Sequence, residues 1–198
     1  AAIFQLIETL PMGGHVVAPN NMYYAARLWL KRLEEKGRIT LTLTGVEMKS
    51  SIIHGKTKLV WIETPSNPMW DVTDIAAVAE VAHAAGAIVG VDATTTAAVT
   101  TLPLTLGADY VFHSVTKYLN GHSDVLGGAL IAARKDARWD ELLLMRGKTL
   151  APLAPFECWL LLRGLRTLFV RFRQASNNAM SIARHFANHT NLDAVIYP

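Results

Sequence analysis

The sequence predicts an α/β protein, a mostly parallel sheet with helices on both faces. Two observations carry that expectation. Short Val/Ile-rich runs alternate with helix-length windows over the first two-thirds of the chain, the pattern of strands joined by crossover helices. Several runs are apolar without alternation, as strands buried on both faces require.

In chain order, strands are expected at 15–18, 39–43, 59–63, 88–92, 110–113 and 128–132. Helices fit 24–36 and 74–85. The second opens at Asp74, whose carboxylate can accept a free backbone N–H of the first turn, and closes at Gly86. After Trp139 the spacing is helical, at 140–145, 155–162 and 170–189, with a break expected at Arg163-Gly164. The chain therefore divides into an α/β core, 1–139, and a helical layer or connector, 140–198. No internal repeat or low-complexity linker interrupts it.

Composition removes several classes of function. Of 198 residues, 51% are hydrophobic and 18% charged, below the roughly 25% usual for soluble domains, so a folded core is expected and disorder is not. With 19 Lys+Arg against 16 Asp+Glu, the net charge of +3 is too small to imply nucleic acid. Arg163, Arg166, Arg171, Arg173 and Arg184, interleaved with Phe169 and Phe172, fit a solvated helix face or a subunit interface better than a nucleic-acid stripe. No apolar run reaches the ~18 residues of a membrane span. The single cysteine, Cys158, rules out an intrachain disulfide and a Cys-based metal cage, and favours a reducing, cytoplasmic setting. The chain opens without Met and stops as a strand-like run begins at Val195-Ile196-Tyr197, so both ends are expected to be cuts in a longer protein.

Ligands of open parallel sheets bind beyond the carboxyl ends of the strands, where loops diverge and helix N-termini converge. Those ends carry Asn20, Asn21 and Tyr23 after the first run, Glu63-Thr64-Pro65-Ser66-Asn67-Pro68 after the third, Asp92 closing the fourth, and Ser114, Thr116 and Lys117 after the fifth. A phosphorylated pyridine aldehyde needs this set of groups. An amine condenses with the aldehyde, a carboxylate holds the ring nitrogen protonated, hydroxyls bind phosphate, and an aromatic stacks on the ring. Asp92 follows Ile88-Val89-Gly90-Val91 and is expected to be poorly solvated, which requires a cation or donors beside it. Asp92 also suits a helix N-cap, Glu63 a cap for the turn that follows it, and Tyr24 competes with Tyr23 as the ring partner.

Other motifs carry less. His122 and Asp124 lack a third ligand for a metal. Gly55-Lys56-Thr57 and Gly147-Lys148-Thr149 have Ser50 and Leu142 where a phosphate-binding loop needs its first glycine. No serine sits in a Gly-x-Ser-x-Gly elbow.

The segment Ser114-Val115-Thr116-Lys117-Tyr118-Leu119-Asn120-Gly121-His122-Ser123-Asp124, followed by Val125-Leu126-Gly127-Gly128, resembles the lysine signature of the Cys/Met-metabolism (trans-sulfuration) pyridoxal-phosphate enzymes. Glu63 to Pro68, Val91-Asp92 and Arg163-Gly164-Leu165-Arg166-Thr167-Leu168 are similar to segments of that family in the same order. The resemblance implies the large domain of PLP fold type I (aspartate aminotransferase-like), truncated at both ends. It implies pyridoxal 5'-phosphate as cofactor, a small amino-acid substrate, elimination or replacement at Cβ or Cγ, and a homo-oligomer, a tetramer of active dimers. Synthase and lyase chemistry both stay open. It also implies roles: Lys117 bonds the aldehyde and shuttles protons, Asp92 pairs with the ring nitrogen, and Ser114 and Thr116 hold phosphate. Tyr23 stacks on the ring, and Asn67 lies near its hydroxyl and the substrate carboxylate.

Departures bear on activity. Ala93 stands where the family carries Asn, and Tyr24-Ala25 where it carries Gly-Gly. The phosphate-cradling glycine turn, the arm that lends Tyr and Arg to a neighbouring subunit, and the arginine that clamps the substrate carboxylate are all expected outside these residues. The chain alone is therefore expected to be inactive and its parent active. The competing reading is a non-catalytic relative serving as a structural or interaction module.

Overall fold

The structure is a computed structural model describing residues 2–148 and 152–198. Six strands, β1 (Gly14–Pro19), β2 (Ile39–Thr44), β3 (Thr57–Glu63), β4 (Ile88–Asp92), β5 (Tyr110–Ser114) and β6 (Gly128–Ala132), form one sheet in the order β2-β1-β3-β4-β5-β6. The first five run parallel and β6 pairs antiparallel with β5. The α-helices of the described residues are α1 (Ala2–Glu8), α2 (Tyr24–Glu35), α3 (Ile75–Ala84), α4 (Ala137–Lys148), α5 (Pro155–Leu165) and α6 (Leu168–Phe186).

Successive strand residues point to opposite faces, and here both faces are covered. Val16, Ala18, Leu59, Trp61 and Tyr110 pack with Leu6 of α1, Leu30 of α2 and Leu142 of α4. Their neighbours Val17, Val60, Ile62, Val91 and Val111 pack with Val78, Ala79 and Ala82 of α3. Double burial is why the strands are continuously apolar in sequence. Helix α3 begins where expected, the Asp74 carboxylate accepting the Ala77 N–H at 3.0 Å, and is followed by Gly86 in the left-handed region at φ +79°.

The structure departs from the sequence expectation in four places. Helix α1 was not foreseen: with seven residues it is too short for a periodic signal, and burial of Ile3, Leu6 and Ile7 against the sheet holds it. Short 3₁₀ turns at Met48–Ser51 and Pro103–Leu106 also went unread. Helix α5 passes through the expected break at Arg163-Gly164 and ends at Leu165. Packing overrides propensity there, because Gly164 meets the backbone of Asn120 so closely that a Cβ would overlap the Asn120 carbonyl. Residues 195–198 form no strand. Tyr197 instead packs edge-on to Trp70 with ring centroids 5.9 Å apart, and its hydroxyl donates to the Ser176 carbonyl at 3.4 Å.

Among the described residues no helix is long and apolar enough to cross a membrane. Gly164→Ala should destabilise the chain by about 1–3 kcal/mol in urea unfolding, since backbone must move to admit the methyl group. Gly147→Ala in α4, with open space around the added Cβ, should stabilise it by about 0.5–1 kcal/mol. Equal effects would contradict the packing argument.

Candidate active site

Strand order reverses at β1, which has β2 on one side and β3 on the other. Loops leaving the carboxyl ends of β1 and β3 diverge there and open a crevice. Tyr23, Asn67, Asp92, Ser114, Thr116 and Lys117 all line this one cleft, of about 1590 Å³, together with Glu63, Trp70, Thr94 and Thr95. The sequence-predicted set is thus brought together without exception.

Asp92 and Glu63 form its floor. They end β4 and β3 as register partners, and each is only 5% exposed. Asp92 Oδ1 accepts both the N–H (2.9 Å) and the hydroxyl (2.6 Å) of Thr94, an Asx-type turn rather than the helix N-cap that the sequence also allowed. Burial still raises the Asp92 carboxyl to about 6 against those two bonds. The Thr94 hydroxyl also accepts the Ser114 N–H at 2.8 Å, so one side chain ties β4 to the start of the Lys117 loop. Burial raises Glu63 to about 7, the Asp92 charge adding to it while N–H bonds from Tyr23 and Asn67 oppose it.

The other walls are more open. Tyr23 is 52% exposed at the rim, and Asn67 is exposed on a loop whose Thr64-Pro65 and Asn67-Pro68 peptide bonds are cis. The Lys117 side chain is exposed and forms no ion pair or hydrogen bond among the described residues, leaving its amine available. Ser114 Oγ is likewise unengaged among them. Thr116 Oγ1 is not: it accepts the Gly127 N–H at 3.0 Å and donates to the Gly127 carbonyl at 3.3 Å.

The lysine loop is fixed from behind. Asn120, fully buried, donates to Asp124 at 2.7 Å, and the His122 ring bonds the Asn120 carbonyl, so both side chains are engaged within the loop. No metal-ligating cluster occurs among the described residues. Arg171 of α6 donates to the carbonyls of Tyr118 and Gly164, both at 2.9 Å. Gly121 makes room for it, as a Cβ there would overlap the guanidinium. Of the two Gly-Lys-Thr triplets, 55–57 leads into the amino end of β3, opposite the cleft. Thr149 of the other lies outside the described residues.

In sequence Glu63 reads as a turn cap, and Thr94, Thr95 and Trp70 do not stand out as site residues. The only available signal for Thr94 was its place two residues beyond a strand-ending Asp. Trp70 at φ +63° had none.

The residues fit a pyridine aldehyde. Asp92 Oδ2 has no hydrogen-bond partner among the described residues, so this desolvated carboxylate lacks what a ring N–H⁺ would supply, and a free amine shares its cleft. Fold and site together define a lysine-bearing α/β cofactor domain. The model of the Cys/Met metabolism PLP-dependent enzyme family matches residues 1–198, and the chain belongs to that family. It is 37% identical over 196 residues to a probable cystathionine gamma-synthase of Herpetosiphon aurantiacus, covering 98% of this chain and 61% of that protein. A cystathionine gamma-lyase of Dictyostelium discoideum is also 37% identical, with 100% and 52% covered. The crystal structure of cystathionine gamma synthase from Xanthomonas oryzae pv. oryzae, in complex with aminoacrylate and cysteine, superposes with a TM-score of 0.90 at 37% identity, over 96% of this chain and 50% of that one. The chain spans about half to three-fifths the length of these relatives.

Both buried acids keep protons in the fold that the unfolded chain releases from about 4 upward, so stability is present at low pH and lost as pH rises through about 7. Asp92→Asn should flatten the fall in unfolding free energy between pH 4.5 and 8 by about 2 kcal/mol. An unchanged slope in urea titrations would contradict the burial argument.

Proposed function

We propose that this chain is the cofactor-bearing part of a pyridoxal-phosphate enzyme that eliminates or replaces a group at Cβ or Cγ of a sulfur-containing amino acid or an activated homoserine. The observation that carries the proposal is the meeting of a free amine, Lys117, and a desolvated carboxylate, Asp92, in one cleft at the carboxyl edge of the sheet. Family membership narrows the substrate class.

In this reading Lys117 would hold the cofactor through its amine and would move a proton between substrate carbons. Asp92 holds the ring nitrogen protonated, oriented by Thr94. The protonated ring, when bound, supplies an electron sink for charge developing at the substrate Cα. The Ser114 hydroxyl donates to phosphate. Thr116 contributes by turning its proton away from the Gly127 carbonyl. Tyr23 would cover one ring face, and Asn67 would serve the ring hydroxyl and the substrate carboxylate.

The proposal includes a cytoplasmic homo-oligomer, supported by a free, exposed Cys158 and by exposed Phe156, Trp159 and Leu162 on α5 and Phe169 and Val170 on α6. It also divides the chain at 139/140: all strands precede that point, α5 and α6 follow it, and α4 spans it.

Adding pyridoxal phosphate to the chain and to its longer parent should give a saturable visible absorbance band in at least the parent, absent in Lys117→Ala. The parent should convert cystathionine, methionine or an O-acylated homoserine, and Lys117→Ala should not. A folded parent without any Lys117-dependent band would instead favour a structural or interaction module.

A further inference from the structure

Glu63 does more than cap its own turn. Its Oε1 accepts the Asn67 N–H at 2.9 Å, four residues on, but its Oε2 accepts the Tyr23 N–H at 2.8 Å, forty residues away in sequence. The two amides belong to the loops that diverge from β1 and β3, so a single carboxylate spans the reversal in strand order. Tyr23 is also the residue preceding helix α2, whose positive end faces the carboxylate. No cation pairs with Glu63 among the described residues, and both of its oxygens are committed to backbone.

From this geometry we infer that Glu63 is a positioning residue: its carboxylate sets where Tyr23 and Asn67 stand relative to each other, and so how the two walls of the cleft hold a flat ring between them. The inference rests on the cofactor reading given above. Burying an acid without a cation is costly, and a turn cap alone would not need it. Asn or Ser could cap locally, whereas bridging two loops takes two acceptor atoms on a longer side chain. A second tie makes the role separable from folding. The Asn21 amide of the first loop donates to the Ser66 hydroxyl (3.0 Å) and to the Asp71 carboxylate of the second, so the loops stay associated without Glu63. Asp92 on β4 is the titratable group that acts on Glu63 through charge, and Asp71 stands in the β3 loop beyond Ser66.

Glu63→Gln is the informative variant, because a glutamine offers one acceptor and turns an NH₂ toward the other amide. In ¹⁵N-labelled chain, the Tyr23 and Asn67 amide resonances should titrate together with one midpoint near 7, the region to which Glu63 is raised. In Glu63→Gln the joint titration should vanish, and one of the two amides should lose hydrogen-exchange protection by about tenfold, the loss of one charge-assisted hydrogen bond. With pyridoxal phosphate added to the parent as probe, the variant should retain its Lys117-dependent absorbance but lose about half or more of the visible circular dichroism, which reports how a ring is held. Separate midpoints, or a joint titration that persists in Glu63→Gln, would overturn the bridge. Wild-type dichroism in the variant would overturn the step from bridge to ring placement. A wild-type parent with the joint titration but no Lys117-dependent band would refute the cofactor reading while supporting the bridge.

Discussion

The structure depends on bringing a nearly buried carboxylate to the end of a central strand, at the floor of the cleft. Asp92 closes β4 between β3 and β5, and its register partner Glu63 closes β3. Two acids side by side in a desolvated floor are unfavourable for a fold in isolation. The surroundings relieve this only in part: Thr94 supplies two donors to Asp92, and two backbone amides serve Glu63. The remaining imbalance is negative, at the floor of a cleft that also holds an amine unpaired among the described residues. Perturbed groups of this kind concentrate at functional sites because the chemistry needs them.

Parallel topology delivers the rest. All five parallel strands finish at one edge, so loops far apart in sequence contribute to one cavity wall, and the reversal at β1 keeps the loops after β1 and β3 from closing over it. The lysine loop then needs its own support. Asn120 and Asp124 fix it internally, while Arg171 and Gly164 anchor it to α5 and α6. The helical region after the sheet is thus coupled to the amine through backbone carbonyls, which gives Gly121 and Gly164 a packing reason to lack side chains.

Much of this was legible in the sequence, for identifiable reasons. Strands β4 and β6 have the expected bounds, and the other four differ by at most two residues at an end, because double burial writes a continuous apolar run. The convergence of the candidate residues on one cleft was legible because topology fixes where strand ends go, so position in a βα unit stands in for position in space. What escaped detection depended on contacts between distant segments. Helix α1 is held by packing against the sheet, and Gly164 sits inside a helix because Asn120 presses on it. Glu63 looked like a local cap since only its bond to Asn67 is near in sequence. Its bond to Tyr23 arises from the adjacency of β1 and β3, which the spacing of apolar runs does not specify.

The charge on the ring nitrogen of bound pyridoxal phosphate tests the proposed role of Asp92. Nitrogen-15 resonance of pyridoxal phosphate labelled in the ring and bound to the parent protein reads that charge. The account predicts a protonated nitrogen through neutral pH in the wild type and a deprotonated one in Asp92→Asn. A bound ring nitrogen that is neutral in the wild type, or indifferent to Asp92→Asn, would contradict it.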